Sequence, residues 1–282
     1  MQVRTPDIGL GEGPLLWSKI PEFAIAYNGY SVVIPVVEHY LNSIMNRVRK
    51  EAGGIDPELA DALEIFIDQE TQHSKYHVRF NKRMFDEGIE GLKPLMDRMV
   101  ADLRKQRETK SLAFNVAYCA GFESIATYDA IYIYTQCDRF LEGADPRGAN
   151  LLLWHVAEEF EHRSVCHDAF QAVSGNYFRR VSTLLYAFWH VGGAFVQAED
   201  LVLAHYRKRM SPEEVKASER ISKRLFWRQL RYVAPRMLKI LLPWYNPARL
   251  PTPQRMHRAL QVLAGEAPIR TAVIEQSVQA TA

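Results

Sequence analysis

Glu70 and His73 stand three residues apart in QETQHSKYH, and Glu159 and His162 stand three apart in WHVAEEFEHRS. An α-helix turns about 100° per residue, so positions three, four and seven apart share a face. Each pair therefore aims a carboxylate and an imidazole at one point, with His77 extending the first stripe and His155 the second. Chance placement of the chain's glutamates and histidines predicts about 0.7 such pairs, so a single pair carries little weight. Company carries more. Glu38 in IPVVEHYL and Glu123 in AYCAGFESIAT are isolated glutamates in apolar settings, and they complete the order Glu, Glu-x-x-His, Glu, Glu-x-x-His.

Four carboxylates and two neutral imidazoles balance the charge of two divalent cations. Without cations, four glutamates facing one core would repel and lose their hydration uncompensated. Oxygen and nitrogen donors of this kind suit iron or manganese and leave coordination positions open for dioxygen or water. The expected ligands are Glu38, Glu70, His73, Glu123, Glu159 and His162, with Glu70 and Glu159 as bridges. His77 and His155 are open between ligand, outer donor and satisfied core residue. His39 should point away from Glu38's face. Glu161, about 200° around the helix from Glu159, should be solvated. Asp168 is open between an outer bond and a surface ion pair.

The elements that must position these residues read as helices, with no alternating strand pattern anywhere. A first helix is expected over 29–50, with Pro35 kinking it or marking its first turn. Asp56 and Pro57 start a second that runs to about Glu87. A charged helical connection over 92–107 leads to a third helix at about 109–138. A fourth is expected over 149–173, followed by two added helices near 178–209 and 212–241. From residue 242 to 282 the prolines at 243, 247, 251 and 253 predict an irregular tail. The expected organisation is one domain: a metal-binding four-helix bundle over 29–174, added helices over 178–241, and that tail.

Composition bounds the class. The chain has 282 residues, is 48% hydrophobic and 24% charged, and carries a net charge of +2. Residues 205–258 nevertheless hold 14 Lys/Arg against 3 Glu, a basic part behind an acidic body. With Phe226, Trp227, Tyr232 and Trp244, it is expected to pack on that body or on a second subunit in a homodimer; contact with an anionic membrane is the lesser alternative. No nucleic-acid motif is present. Cys119, Cys137 and Cys166 have neither disulfide nor CxxC spacing, which fits a reducing cytoplasm. The apolar stretch 181–198 is interrupted by His190, Gly192 and Gly193 and is marginal as a membrane span.

The order of glutamates and histidines is similar to that of the ferritin-like di-iron and di-manganese carboxylate bundles. More narrowly, GGIDPEL…FIDQETQHSKYH and WHVAEEFEHRSVCHDAFQAVSGNYFRR resemble a bacterial family known by prediction as metal-dependent hydrolases, over roughly residues 30–190. Its acidic and histidine positions fall on the six ligands named above, with His77 and His155 also matching. Members tend to carry a histidine after the third-helix glutamate, where Ser124 stands here. In related oxygenases an acidic residue before each Glu-x-x-His holds the opposite histidine; those positions are Gln69 and Glu158. Thr127 resembles a threonine near the metals of bacterial multicomponent monooxygenases, and small neighbours at Cys119, Ala120 and Ala126 would leave a substrate pocket beside it. The resemblance thus implies an all-α, ferritin-like bundle. The reading placed first is a di-iron oxygenase or oxidase that activates dioxygen against a small organic substrate, served by an external electron donor. A two-metal hydrolase working with zinc, a ferritin-type iron oxidase or store, and a metal-free helical protein are the alternatives.

Overall fold

The computed structural model describes residues 1–10 and 13–264, and every regular element among them is helical. In chain order these are α1 (Pro21–Glu51), α2 (Pro57–Asp86), α3 (Leu92–Thr109), α4 (Leu112–Gln136), the single turn α5 (Asp138–Leu141), α6 (Pro146–Glu161), α7 (Val165–Val173), α8 (Tyr177–Arg207), α9 (Pro212–Met237) and α10 (Gln254–Ala264). Several starts are written in local chemistry. The Asp56 carboxylate accepts the Glu58 N–H with Pro57 at the first helical position, Ser111 caps α4, Asp145 caps α6, and Ser211 and Glu214 form a reciprocal capping box on α9.

α4 is the axis of the assembly. It is buried along nearly its whole length and packs against α8, α7, α6 and α9, while α1 lies against α2 and α8. Two seats need glycine. A Cβ on Gly29 of α1 would stand 2.6 Å from the backbone nitrogen of Glu199, and one on Gly121 of α4 would stand 3.0 Å from Leu184 Cα, both on α8. Two apolar cores result. Leu63 and Phe66 on α2, Val116 to Phe122 on α4 and Val165 to Phe170 on α7 belong to one. Phe80 and Met84 on α2, Tyr128 to Tyr134 on α4 and Ala149 to Phe160 on α6 belong to the other. On these helices a polar band of Glu70–His77, Glu123–Thr127 and Glu158–His162 falls at the junction.

Three expectations are corrected. The first helix begins at Pro21, eight residues before the expected start, and Pro35 is inside it. The fourth helix is not continuous over 149–173: α6 ends at Glu161, His162 is its C-cap (φ −97°, ψ 14°), and α7 resumes at Val165. The break is stabilised from outside, because the Arg163 guanidinium donates to the Phe160 and Pro247 carbonyls. The tail is not irregular throughout. After the prolines, α10 forms and buries Met256 and Ala259 against α6 and α4; residues 265–282 of the expected tail lie outside the described residues. Among the described residues no helix is long and apolar enough to cross a membrane.

Candidate metal centre

α1, α2, α4 and α6 deliver Glu38, Glu70, His73, Glu123, His155, Glu159 and His162 to one place, each no more than 2% exposed. Two donor groups form, Glu38–His73–His155–Glu159 and Glu70–His73–Glu159–His162, with donor atoms in each within 4.8 Å of one another. His73 and Glu159 belong to both. His73 Nδ1 lies 3.8 Å from one oxygen each of Glu38, Glu70 and Glu159. Its other nitrogen, Nε2, faces Glu158 at 3.0 Å, so the proton resides there and Nδ1 turns a lone pair toward the three carboxylates.

Many of these atoms lack partners. Glu38 Oε1, both oxygens of Glu70 and of Glu123, Glu159 Oε2, His73 Nδ1 and both nitrogens of His162 are buried without a hydrogen bond. His162 does approach carboxylates, with Nε2 3.0 Å from Glu70 and Nδ1 3.2 Å from Glu123, but without the direction a hydrogen bond requires. Buried polar atoms in folded proteins are nearly always paired. So many convergent orphans fit a site whose partners are cations.

A hydrogen-bond chain fixes the state of His155. The Asn81 amide donates to the Ser31 carbonyl, so its oxygen accepts, and the Ser31 hydroxyl donates to it at 2.6 Å. Ser31 Oγ, its proton spent, accepts from His77 Nδ1 at 2.7 Å. His77 Nε2 must then accept from His155 Nδ1, 2.9 Å away. The remaining nitrogen, His155 Nε2, stands 3.2 Å from Glu159 Oε1. That nitrogen, within 3.5 Å of the Tyr30 hydroxyl as well, is placed with the Glu159 oxygen as a pair of donors to one cation.

The electrostatics agree. Burial, then the Glu70 charge, pushes Glu38 well above the usual carboxylate range, and burial with the Glu159 charge does the same to Glu70. Burial and Glu159 push Glu123 up to about 7. Glu159 is held below the ordinary value because His155 outweighs burial. Burial, with neighbouring imidazoles, holds His73 and His77 well below theirs. His162 is raised, since Glu123 and Glu70 overcome its burial. Three acids that resist ionising, Glu38, Glu70 and Glu123, and a histidine, His162, raised against its own burial mark a centre short of positive charge.

The family described as predicted metal-dependent hydrolase matches residues 2–250, which takes in every residue of this centre. The chain belongs to that family. No curated protein and no solved structure matches it. The match reaches well beyond the 30–190 region where the resemblance is legible, and it includes the segment that closes this centre from outside.

In that segment Arg4, 7% exposed, donates to Glu158 at 2.9 Å and to Glu161 at 2.8 Å. Tyr76 binds the Pro6 carbonyl, and Gln69 binds the Gln2 carbonyl and Glu161. Glu158 thus orients the histidine of the opposite helix, and burial lifts it to about 7 against the pull of Arg4. Gln69 holds no histidine. Glu161, expected in solvent, is instead tied to Arg4 and Gln69, because the first residues of the chain cover that side of the helix. Glu123 reaches His162 but stands outside both donor groups. Thr127 is fully buried, its hydroxyl returned to the Glu123 carbonyl at 2.7 Å. Asp168 bonds Ser164, away from the cluster. His39 is exposed, away from Glu38. The cavity that touches the centre lies not by Thr127 but beside His77 and His155, bounded by Tyr27, Tyr30 and Phe80, and at about 20 Å³ it has room for roughly one water.

Sequence reading missed Ser31, Ser74, Asn81 and Arg4. The first three had a signal: Asn81 continues the Glu70, His73, His77 stripe, Ser74 lies one turn after Glu70 and donates to Glu38 at 2.7 Å, and Ser31 lies two turns before Glu38. Arg4 had none, being 154 residues from Glu158.

Proposed function

We propose that this protein is a two-cation hydrolase whose donors are Glu38, Glu70, His73, His155, Glu159 and His162. The observation that supports it is the set of buried, unpartnered donor atoms converging in a chain of a metal-dependent hydrolase family. Bound divalent cations would polarise the bond to be cleaved and make water more acidic. The chain's own residues do the rest. Glu159 and His73, common to both donor groups, set the separation of the two positions. Glu158 fixes the ring of His73, and the chain from Asn81 to His77 fixes that of His155. Glu123, outside both groups with both oxygens free, takes the proton of the attacking water. A water-sized cavity opens beside His155, one of the proposed donors.

One observation favours a second reading, a di-iron centre reducing dioxygen in a ferritin-like bundle: four carboxylates at the centre is a rich oxygen set suited to iron or manganese. A single series of measurements separates the two. Metal analysis of protein grown with iron, manganese and zinc should give about two cations per chain, with Glu70→Ala and His162→Ala losing them. Glu123→Gln should retain them and lose cleavage of activated ester and phosphodiester substrates. Cleavage that proceeds without oxygen supports the hydrolase. A visible absorption transient when the anaerobically reduced iron protein meets dioxygen, with no cleavage under any metal, supports the second reading. Retention of both cations in Glu70→Ala and His162→Ala sinks the ligand assignment.

A further inference from the structure

Far from the buried centre, α9 turns one face into a groove of about 800 Å³. Arg220, Lys223, Arg224, Trp227, Arg228 and Arg231 follow one another at steps of three, one, three, one and three, so they form a single stripe on that helix. From Arg220 to Arg236 the wall runs about 24 Å, at 1.5 Å per residue. Arg139 adds a seventh cation from the opposite side, and Tyr132 and Tyr232 join Trp227 as flat walls.

No carboxylate lines this groove, and among the described residues none of the seven cations has an ion-pair partner. What they touch is neutral. Arg228 donates to the Gln136 carbonyl, and Arg236 lies 3.6 Å over the Tyr232 ring. Like charges one turn apart on a helix repel, and Arg220, Arg224 and Arg228 form two such steps in a row. A surface kept at this self-repulsion, concave and aromatic-walled, is complementary to a ligand with several negative charges and a ring. Guanidinium forks match phosphate oxygens two at a time, and indole and phenol faces stack on a flat base. Its volume is that of a small-molecule site, and Trp227, 44% exposed, is in the wall where a stacked ring would cover it.

We infer that this groove binds a multiply phosphorylated small molecule carrying a planar ring, of the nucleoside di- or triphosphate class. It stands independently of the chemistry proposed for the buried centre.

The test uses the full chain with its metals, titrated calorimetrically at about 150 mM salt with ATP in excess magnesium, which keeps the nucleotide from drawing cations out of the centre. Binding in the micromolar range is expected, at least tenfold tighter than inorganic triphosphate because the ring contributes, and weakening as salt is raised. Arg224→Ala combined with Arg231→Ala should weaken it tenfold or more while metal content and melting temperature stay unchanged. Trp227→Leu should erase the advantage of ATP over triphosphate. No binding at millimolar ATP, or binding that the arginine pair does not alter, overturns the inference. Tighter binding of an RNA oligonucleotide or of phosphatidylserine vesicles than of ATP overturns it too, by assigning the groove to a macromolecule or a membrane.

Discussion

Stripping the cations and raising the pH should destabilise this protein. Glu123 and Glu158 are each raised from 4.5 to about 7 in the folded chain. A carboxyl raised in this way contributes stability that is fully present below 4.5 and is lost as pH rises through its folded value. Between pH 6.5 and 8 the two together lose roughly 1–2 kcal/mol. His73 and His77 are depressed, so their stability is lost on the acid side and they return part of this loss as pH rises from 6.5 to 8. Glu38, Glu70 and His162 are all raised, and each adds to the loss. Glu159, held low, is ionised in both states across this window and contributes nothing to the slope. Within this cluster the net is a loss on the order of 1 kcal/mol, a few degrees in melting temperature for a chain of this size. Cations held by Glu38, Glu70 and Glu159 would replace the protons on the raised ligands and favour the ionised forms of Glu123 and Glu158 beside them, so the loaded protein should lose most of this dependence. A metal at a hundred times its dissociation constant should add about 2.7 kcal/mol. Thermal melts by circular dichroism, with chelator and with manganese or zinc at pH 6.5 and 8, measure both. A chelated protein that melts as high at pH 8 as at pH 6.5, and gains nothing there from metal, would refute the electrostatic reasoning.

Three further outcomes follow from contacts described above. Ser31→Ala removes the acceptor that sets the His77 tautomer, and metal affinity should fall by about 10- to 100-fold, as replacement of a ligand's outer partner commonly does; competition with a fluorescent chelator reads it, and unchanged affinity would remove His155 from the donor set. Glu158→Gln should weaken metal binding by a similar factor, about 10- to 100-fold, while Glu161→Gln, in contact with Arg4 but with no ligand, should leave it nearly unaltered. Gly29→Ala sets a methyl against the α8 backbone and should cost about 1–3 kcal/mol of stability, visible in denaturant melts as a shifted midpoint; no shift would mean that α1 and α8 separate freely.

The helical class and the starts of α2 and α9 were legible because Asp56–Pro57 and Ser211–Pro212 write caps in adjacent residues; Asp145–Pro146 writes one too, yet α6 begins three residues before the expected 149. The site was legible for a related reason: a three-residue spacing on a helix is a statement about direction. The break after Glu161 was hidden, since no glycine or proline marks 162–164 and the carbonyls there are taken by Arg163, whose anchor at Pro247 is 84 residues away. The same limit applies to Arg4 and to the partners of Glu161. Glu123 illustrates another: spacing says which face a carboxylate occupies but not how far its oxygens fall from a shared point, and here they stop at His162. α1 starts at Pro21, eight residues before the expected 29, and Pro35, expected to kink the helix or mark its first turn, stands well inside it.

α8 brings no donor to the cations, yet it is clamped onto both helices that carry the lone glutamates, through the glycine seats at residues 29 and 121. It acts as a spacer bar: Glu38 and Glu123 cannot draw apart or slide without lifting a helix of 31 residues off two backbone-tight seats. Changes on α8, well away from the donor cluster, would therefore register as an altered distance between Glu38 and Glu123.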